Sequence, residues 1–167
     1  MHPLLARRTR AYLLDCGGYA GVALATLPLG LVFQRRGWGG NRNLVLAVSA
    51  VPPLVATVIA SVQEAGPDAA TPGKRRERLS VTDTTGRPLT LGRALLRNLT
   101  KIFIPWQLGH VVAIGARFGG FDQRDPLTLA ATALTYPLLG ATVAAAARGS
   151  GRALHDRVAG TLVRGRP

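Results

Sequence analysis

An apolar run from Ala11 to Phe33 constrains this chain more than any other feature, and a single acid, Asp15, sits inside it. The run is 23 residues long, so as a helix it reaches ~34 Å and can cross a bilayer core of ~30 Å. A carboxylate in such a helix costs roughly 2.5–3.5 kcal/mol near the centre and less near an end. Asp15 therefore calls for a partner or a wet cavity, unless its place one turn in from the start lets it reach water. The run exceeds the 7–15 residues of a signal-peptide core and carries its acid early, so it is expected to be a retained span.

The rest of the sequence continues this pattern. Charged residues make up 17% and hydrophobic ones 47%, where a soluble domain has about 25% charged. The 167 residues leave room for one membrane domain, 1–167. Cys16 is the only cysteine, which excludes an intrachain disulfide and a cysteine zinc site. Four segments are expected to span: about 11–33, 44–62 with Pro52-Pro53 in its middle, 102–120, and 127–147 with Tyr136-Pro137. The third is the shortest, because Ile102–Ala116 alone reaches only ~22 Å. It needs Lys101 and Arg117 to snorkel, or an extension to Gly120. The expected fold class is all-α, an integral membrane four-helix bundle with a cytoplasmic middle segment. Proline kinks are the expected result inside these spans.

Arginine placement orients the bundle. With four spans and both termini cytoplasmic, 16 of the 21 basic residues lie inside and 5 outside. With the third segment not crossing, the split falls to 13 and 8. The positive-inside rule favours four spans in the cell membrane, although Arg35, Arg36 and Arg42 then lie outside. The net charge of +13 does not signal nucleic acid, because the basic residues flank apolar spans and no stacking platform or binding motif accompanies them. The expected counter-charge is the bilayer's anionic headgroups, at ~1 kcal/mol per Lys or Arg near the surface.

The middle segment has its own organisation. Residues 65–73 read as loop and 74–78 as a basic cluster. Leu79-Ser-Val-Thr alternates before the turn Asp83-Thr-Thr-Gly86, which predicts a short hairpin. From Thr90 the pattern is helical, with Leu91, Leu95, Leu99 and Ile102 on one face and Arg93, Arg97 and Lys101 on another. Two stripes of this kind predict an amphipathic interfacial helix with a lipid-facing basic stripe, or the solvated start of the third span. In the tail, Asp156 stands between His155 and Arg157. A metal hydrolase needs more ligands than this pair, and only His2 and His110 remain, so no metal, cofactor or catalytic set is expected. The plain reading of Asp156 is a surface acid paired with a neighbouring arginine.

Four stretches together resemble the RDD family of membrane proteins: Arg8-x6-Asp15, Thr71-Pro-Gly-Lys-Arg75, Arg93-x3-Arg97 and Leu154-His-Asp-Arg-Val-Ala-Gly-Thr161. That family is named for one arginine and two aspartates, and the resemblance implies Arg8, Asp15 and Asp156 for these roles. Where family members often carry an aromatic-rich stretch before the arginine, His2-Pro-Leu-Leu-Ala6 stands here. The family is associated with transport, and cation–proton antiport has been proposed for some members.

Arg8 and Asp15 are seven apart, so they share a helix face but are separated by ~10 Å of rise. Asp15 must find its partner elsewhere, with His110, Gln107, Arg152 and Arg157 as candidates. Asp156 can meet Arg8 and tie the two ends of the chain together. Such a cluster serves either as an interhelical lock or as a protonatable exchange site. Two functions follow: a transporter of ions or small solutes, which in so small a chain calls for a homo-oligomer, or a non-transporting accessory or scaffold protein that binds anionic lipid or a protein partner.

Overall fold

The computed structural model describes residues 3–166; His2 lies outside them. Helix α1, Leu5–Arg35, runs 31 residues and buries only Ala11 and Asp15. Most of its other apolar side chains, among them Leu13, Leu24, Leu27 and Leu31, face outward. A helix apolar on nearly every side is one made for lipid. The second apolar segment forms two helices, α2 (Arg42–Ser49) and α3 (Val51–Ala65). They meet at Ala50, just before Pro52 and Pro53, which lack the N–H needed to continue the upstream ladder. Helix α4 (Pro72–Arg76), strand β1 (Leu79–Asp83) and helix α5 (Leu91–Asn98) form the middle segment. A π-helical segment, Leu99–Phe103, joins α5 to α6 (Ile104–Arg117). Helix α7 (Pro126–Ala147), helix α8 (Leu154–Val158) and strand β2 (Thr161–Gly165) complete the chain.

Three stretches among the described residues are long and apolar enough to cross a membrane: Leu5–Arg35, Arg42–Ala65 and Pro126–Ala147. The third expected span is shorter than 102–120. Its α-helix has 14 residues, ~21 Å, and ends at Arg117. Gly119 turns the backbone away at φ 71°. Helix α6 packs along α7 and against α2. At one end of these helices Arg42 Nη2 lies 2.5 Å from Asp125 Oδ2. Asp125 also caps α7 by accepting a bond from the Thr128 N–H at 2.7 Å.

The expected hairpin is not formed. The turn is present, with the Asp83 carboxylate accepting from the Thr85 and Arg87 N–H groups. Strand β1 pairs instead with β2 of the tail, antiparallel, with Val81 opposite Val163 and Asp83 opposite Thr161. Pro88 follows the turn at once and has no N–H to give a returning strand. The fold is therefore mainly helical, with one two-stranded sheet in place of the hairpin. Leu79, Val81 and Val163 of the sheet pack with Ala11, Leu89 and Ala94 into one small core. A second joins Ala56 and Ala60 of α3 to Ile102. Both cores border the site described next.

Candidate functional site

Six charged side chains of alternating sign run through one end of the helix assembly. Arg8 Nη2 lies 2.5 Å from Asp156 Oδ2. The other Asp156 oxygen accepts from Arg97 Nη2 at 3.0 Å. Arg97 Nη1 donates to both oxygens of Glu64, at 2.7 and 2.8 Å. Glu64 Oε1 is 2.8 Å from Lys74 Nζ, which stands 3.7 Å from Asp15 Oδ2. Three cations and three anions thus cancel along the chain Arg8–Asp156–Arg97–Glu64–Lys74–Asp15. The Arg8 side chain is 12% exposed and the Lys74 side chain 6%, with the other four lower still. Buried charges are tolerable only when paired and otherwise hydrogen-bonded, and these are.

Each acid has further donors. Asp15 accepts from the Thr71 hydroxyl at 2.6 Å and from the Gly73 N–H at 2.8 Å. Lys74 donates to that same Thr71 oxygen at 3.0 Å. Glu64 accepts from Asn98 Nδ2 at 3.0 Å. Asp156 accepts from the Ala153 N–H at 3.0 Å, which fixes the first turn of α8. Arg8 also donates to the Gly151 carbonyl. Gly73 is obligatory: a Cβ there would stand 2.1 Å from the Ala11 carbonyl oxygen and 2.7 Å from Asp15 Oδ1. Only a glycine lets α4 dock this close to α1.

Burial opposes ionisation of Asp156, but Arg97 beside it outweighs that and holds the carboxyl well below the usual range. Burial likewise works against the Arg97 charge, and Glu64 and Asp156 reverse it, so Arg97 stays charged. Burial, then Arg97, keeps His155 well below its ordinary value, so this histidine is neutral at pH 7.

The resemblance residues Arg8 and Asp156 are thus in direct contact, and Asp15 joins them through Lys74, Glu64 and Arg97. None of the four candidate partners reaches Asp15. His110 accepts from Trp106 Nε1 at 3.0 Å within α6, and Gln107 donates across to Ser49 Oγ of α2 at 3.2 Å. Arg152 donates to the carbonyls of Thr161 and Asp156, and Arg157 to that of Arg152. The actual partners come from the Thr71–Lys74 stretch, and Lys74 links Asp15 on to Glu64. The first was visible as a motif, but Lys74 read as part of a solvated basic cluster. Glu64 announced itself only as an acid two residues beyond the second apolar segment.

The lipid-facing basic stripe needs correction. Arg97 is 1% exposed and points inward at Glu64 and Asp156. Arg93 is exposed, with Nη1 3.6 Å from Asp83 Oδ2. Lys101 lies over the Tyr12 ring at 5.3 Å. Two buried carboxylates turn the Arg97 face inward, and the π segment between 99 and 103 breaks the i, i+4 register before Lys101. Beside the lattice, α1, α7 and the π segment enclose a half-open cavity of about 240 Å³, lined by Arg8, Tyr12, Lys74, Lys101, Leu139 and Val143 among others. Among the described residues no three His, Cys, Asp or Glu side chains come together as metal ligands.

No curated protein and no solved structure matches this chain. A family model, described as the RDD family, matches residues 2–160. That span takes in Arg8, Asp15, the Thr71–Arg75 stretch and Asp156, the very residues that the lattice joins, and the chain belongs to the RDD family.

Proposed function

We propose that this RDD protein crosses the cell membrane four times, with both ends cytoplasmic, and works as a non-transporting module that binds an anionic ligand. It is not an enzyme in this reading. The observation that carries it is the charge balance of the lattice. Asp15 and Glu64 each have a cation and further hydrogen-bond donors, so the lattice is neutral within itself. The cationic surplus lies next to the lattice, in the cavity. In the third crossing, α6 is lengthened by the π segment before it, and Arg117 snorkels at its far end. The basic residues divide 16 to 5 in favour of this orientation.

A second reading, transport, is favoured by one observation. The helices are interrupted at Ala50 and at Leu99–Phe103, and broken helices serve as hinges in transporters. In this reading a homo-oligomer completes the pathway. Proteoliposomes holding wild type or Asp15→Asn decide between the two. The module reading expects Asp15→Asn to melt at lower temperature in detergent, with no solute flux beyond empty vesicles from either protein. A pH-dependent cation or anion flux from wild type, abolished in a folded Asp15→Asn, overturns it. Cysteine labelling with Gly39→Cys outside and Thr84→Cys and Arg157→Cys inside tests the topology; external labelling at 157 leaves three crossings.

A further inference from the structure

Lys101 is the cation that the lattice leaves over. Among the described residues no carboxylate lies within 4.0 Å of its ammonium, whereas Arg8, Lys74 and Arg97 each have one. Its recorded neighbour is the face of the Tyr12 ring. It borders the same cavity as Arg8, Lys74 and Arg97, and no Asp or Glu lines that cavity. An uncompensated ammonium beside three other cations is unfavourable unless an anion meets it.

The cavity has two chemistries. Its inner end is cationic, at Lys101, Lys74 and Arg8. Its outer wall is apolar, at Leu139 and Val143 of α7, which are 45% and 63% exposed on a helix apolar enough to lie in a bilayer. A soluble anion uses the inner end alone. A lipid with an anionic headgroup uses both.

We propose that this cavity holds one acidic phospholipid per chain, its phosphate against Lys101 and one acyl chain along Leu139 and Val143. This names the ligand of the module reading above, and it requires the membrane placement but not the absence of transport.

The test uses the full chain purified in an uncharged detergent. Native mass spectrometry counts retained lipid, and thermal shift titrations compare phosphatidylglycerol, phosphatidylcholine and inorganic phosphate. One phosphatidylglycerol per chain is expected, with no shift from the other two. Lys101→Gln and Val143→Trp are each expected to weaken that binding about tenfold or more, and Lys101→Arg to retain it. Equal binding of phosphatidylcholine, or unchanged phosphatidylglycerol binding in Lys101→Gln, overturns the proposal. A phosphate shift that matches phosphatidylglycerol assigns the inner end to a free anion and also overturns it. Should Lys101→Gln not fold, Val143→Trp on the exposed outer wall decides. Flux from a chain that still binds phosphatidylglycerol overturns the module reading alone; no lipid binding from a chain without flux overturns this proposal alone.

Discussion

One guanidinium nitrogen of Arg97 serves both carboxylate oxygens of Glu64, at 2.7 and 2.8 Å, across the α3–α5 contact. The other side of that guanidinium holds Asp156, at 3.0 Å. Arg97 therefore bridges α3 to the tail, as Arg8 bridges α1 to it, and it is among the largest fully buried side chains of the described residues.

Removing Arg97 leaves two buried acids without their shared cation. Arg97→Gln is expected to cost about 3–5 kcal/mol, the range for breaking a buried pair by deleting one partner. Chemical denaturation in detergent micelles measures it. Glu64→Gln combined with Arg97→Gln is expected to cost less than the two single changes added together, because neither variant then strands the other's charge. Strict additivity would show that the two side chains do not act as a unit.

Gly73→Ala and Gly92→Ala form a matched pair. The first places a methyl 2.1 Å from a backbone carbonyl on α1, while nothing lies within 4 Å of a Cβ at the second. Gly73→Ala is expected to destabilise by at least ~1–3 kcal/mol through overpacking. Gly92→Ala, inside α5, is expected to stabilise by up to ~1 kcal/mol through helix propensity. Melting temperatures that move together would contradict the docking of α4 on α1.

Acid sensitivity follows from two groups outside the spans. His155 and Asp156 both have lower affinity for protons in the folded chain than in the unfolded one. Each therefore contributes stability that is full above its unfolded value and lost as pH falls. Melting temperature is expected to decline first as pH drops below about 6.5, from His155, and again below about 4, from Asp156. His155→Gln should flatten the first decline and leave the second. A melting temperature level from pH 7 to 5 in the wild type would refute the His155 assignment.

At the far end of the helices, Asp125 does two things, capping α7 and pairing with Arg42. Asparagine keeps the cap and loses the charge, whereas alanine loses both. Asp125→Asn is expected to lower the melting temperature slightly, and Asp125→Ala to lower it further. Thermal melts of the two variants separate the terms.

The apolar segments were legible because hydropathy reads burial in lipid directly. Their ends were less so: a helix that stops at Arg117 and turns at Gly119 carries no break stronger than a glycine pair. The contact of Arg8 with Asp156 followed from placing both near the same end of their helices. The partner of Asp15 did not follow, because Thr71 and Lys74 lie in a stretch whose proline, glycine and basic residues have the composition of a solvated loop. The inward turn of Arg97 was hidden for a related reason. Periodicity shows that Arg93 and Arg97 share a face but not what that face meets, and the two acids that draw Arg97 in are 33 and 59 positions away. Strand β1 was visible by alternation, yet its partner lies in the last residues of the chain, beyond the reach of a local pattern.

Because the sheet and α8 come from the last part of the chain, the order of synthesis matters. Asp15, Glu64, Lys74 and Arg97 are all made before Asp156 and β2 exist. A nascent chain halted before residue 154 has lost an anion from the hexad, and Arg8 and Arg97 then carry an excess positive charge. It has also left β1 as an open edge. A product halted there is therefore marked in two ways, by surplus charge and by an unpaired strand, and the stretch 154–165 seals both.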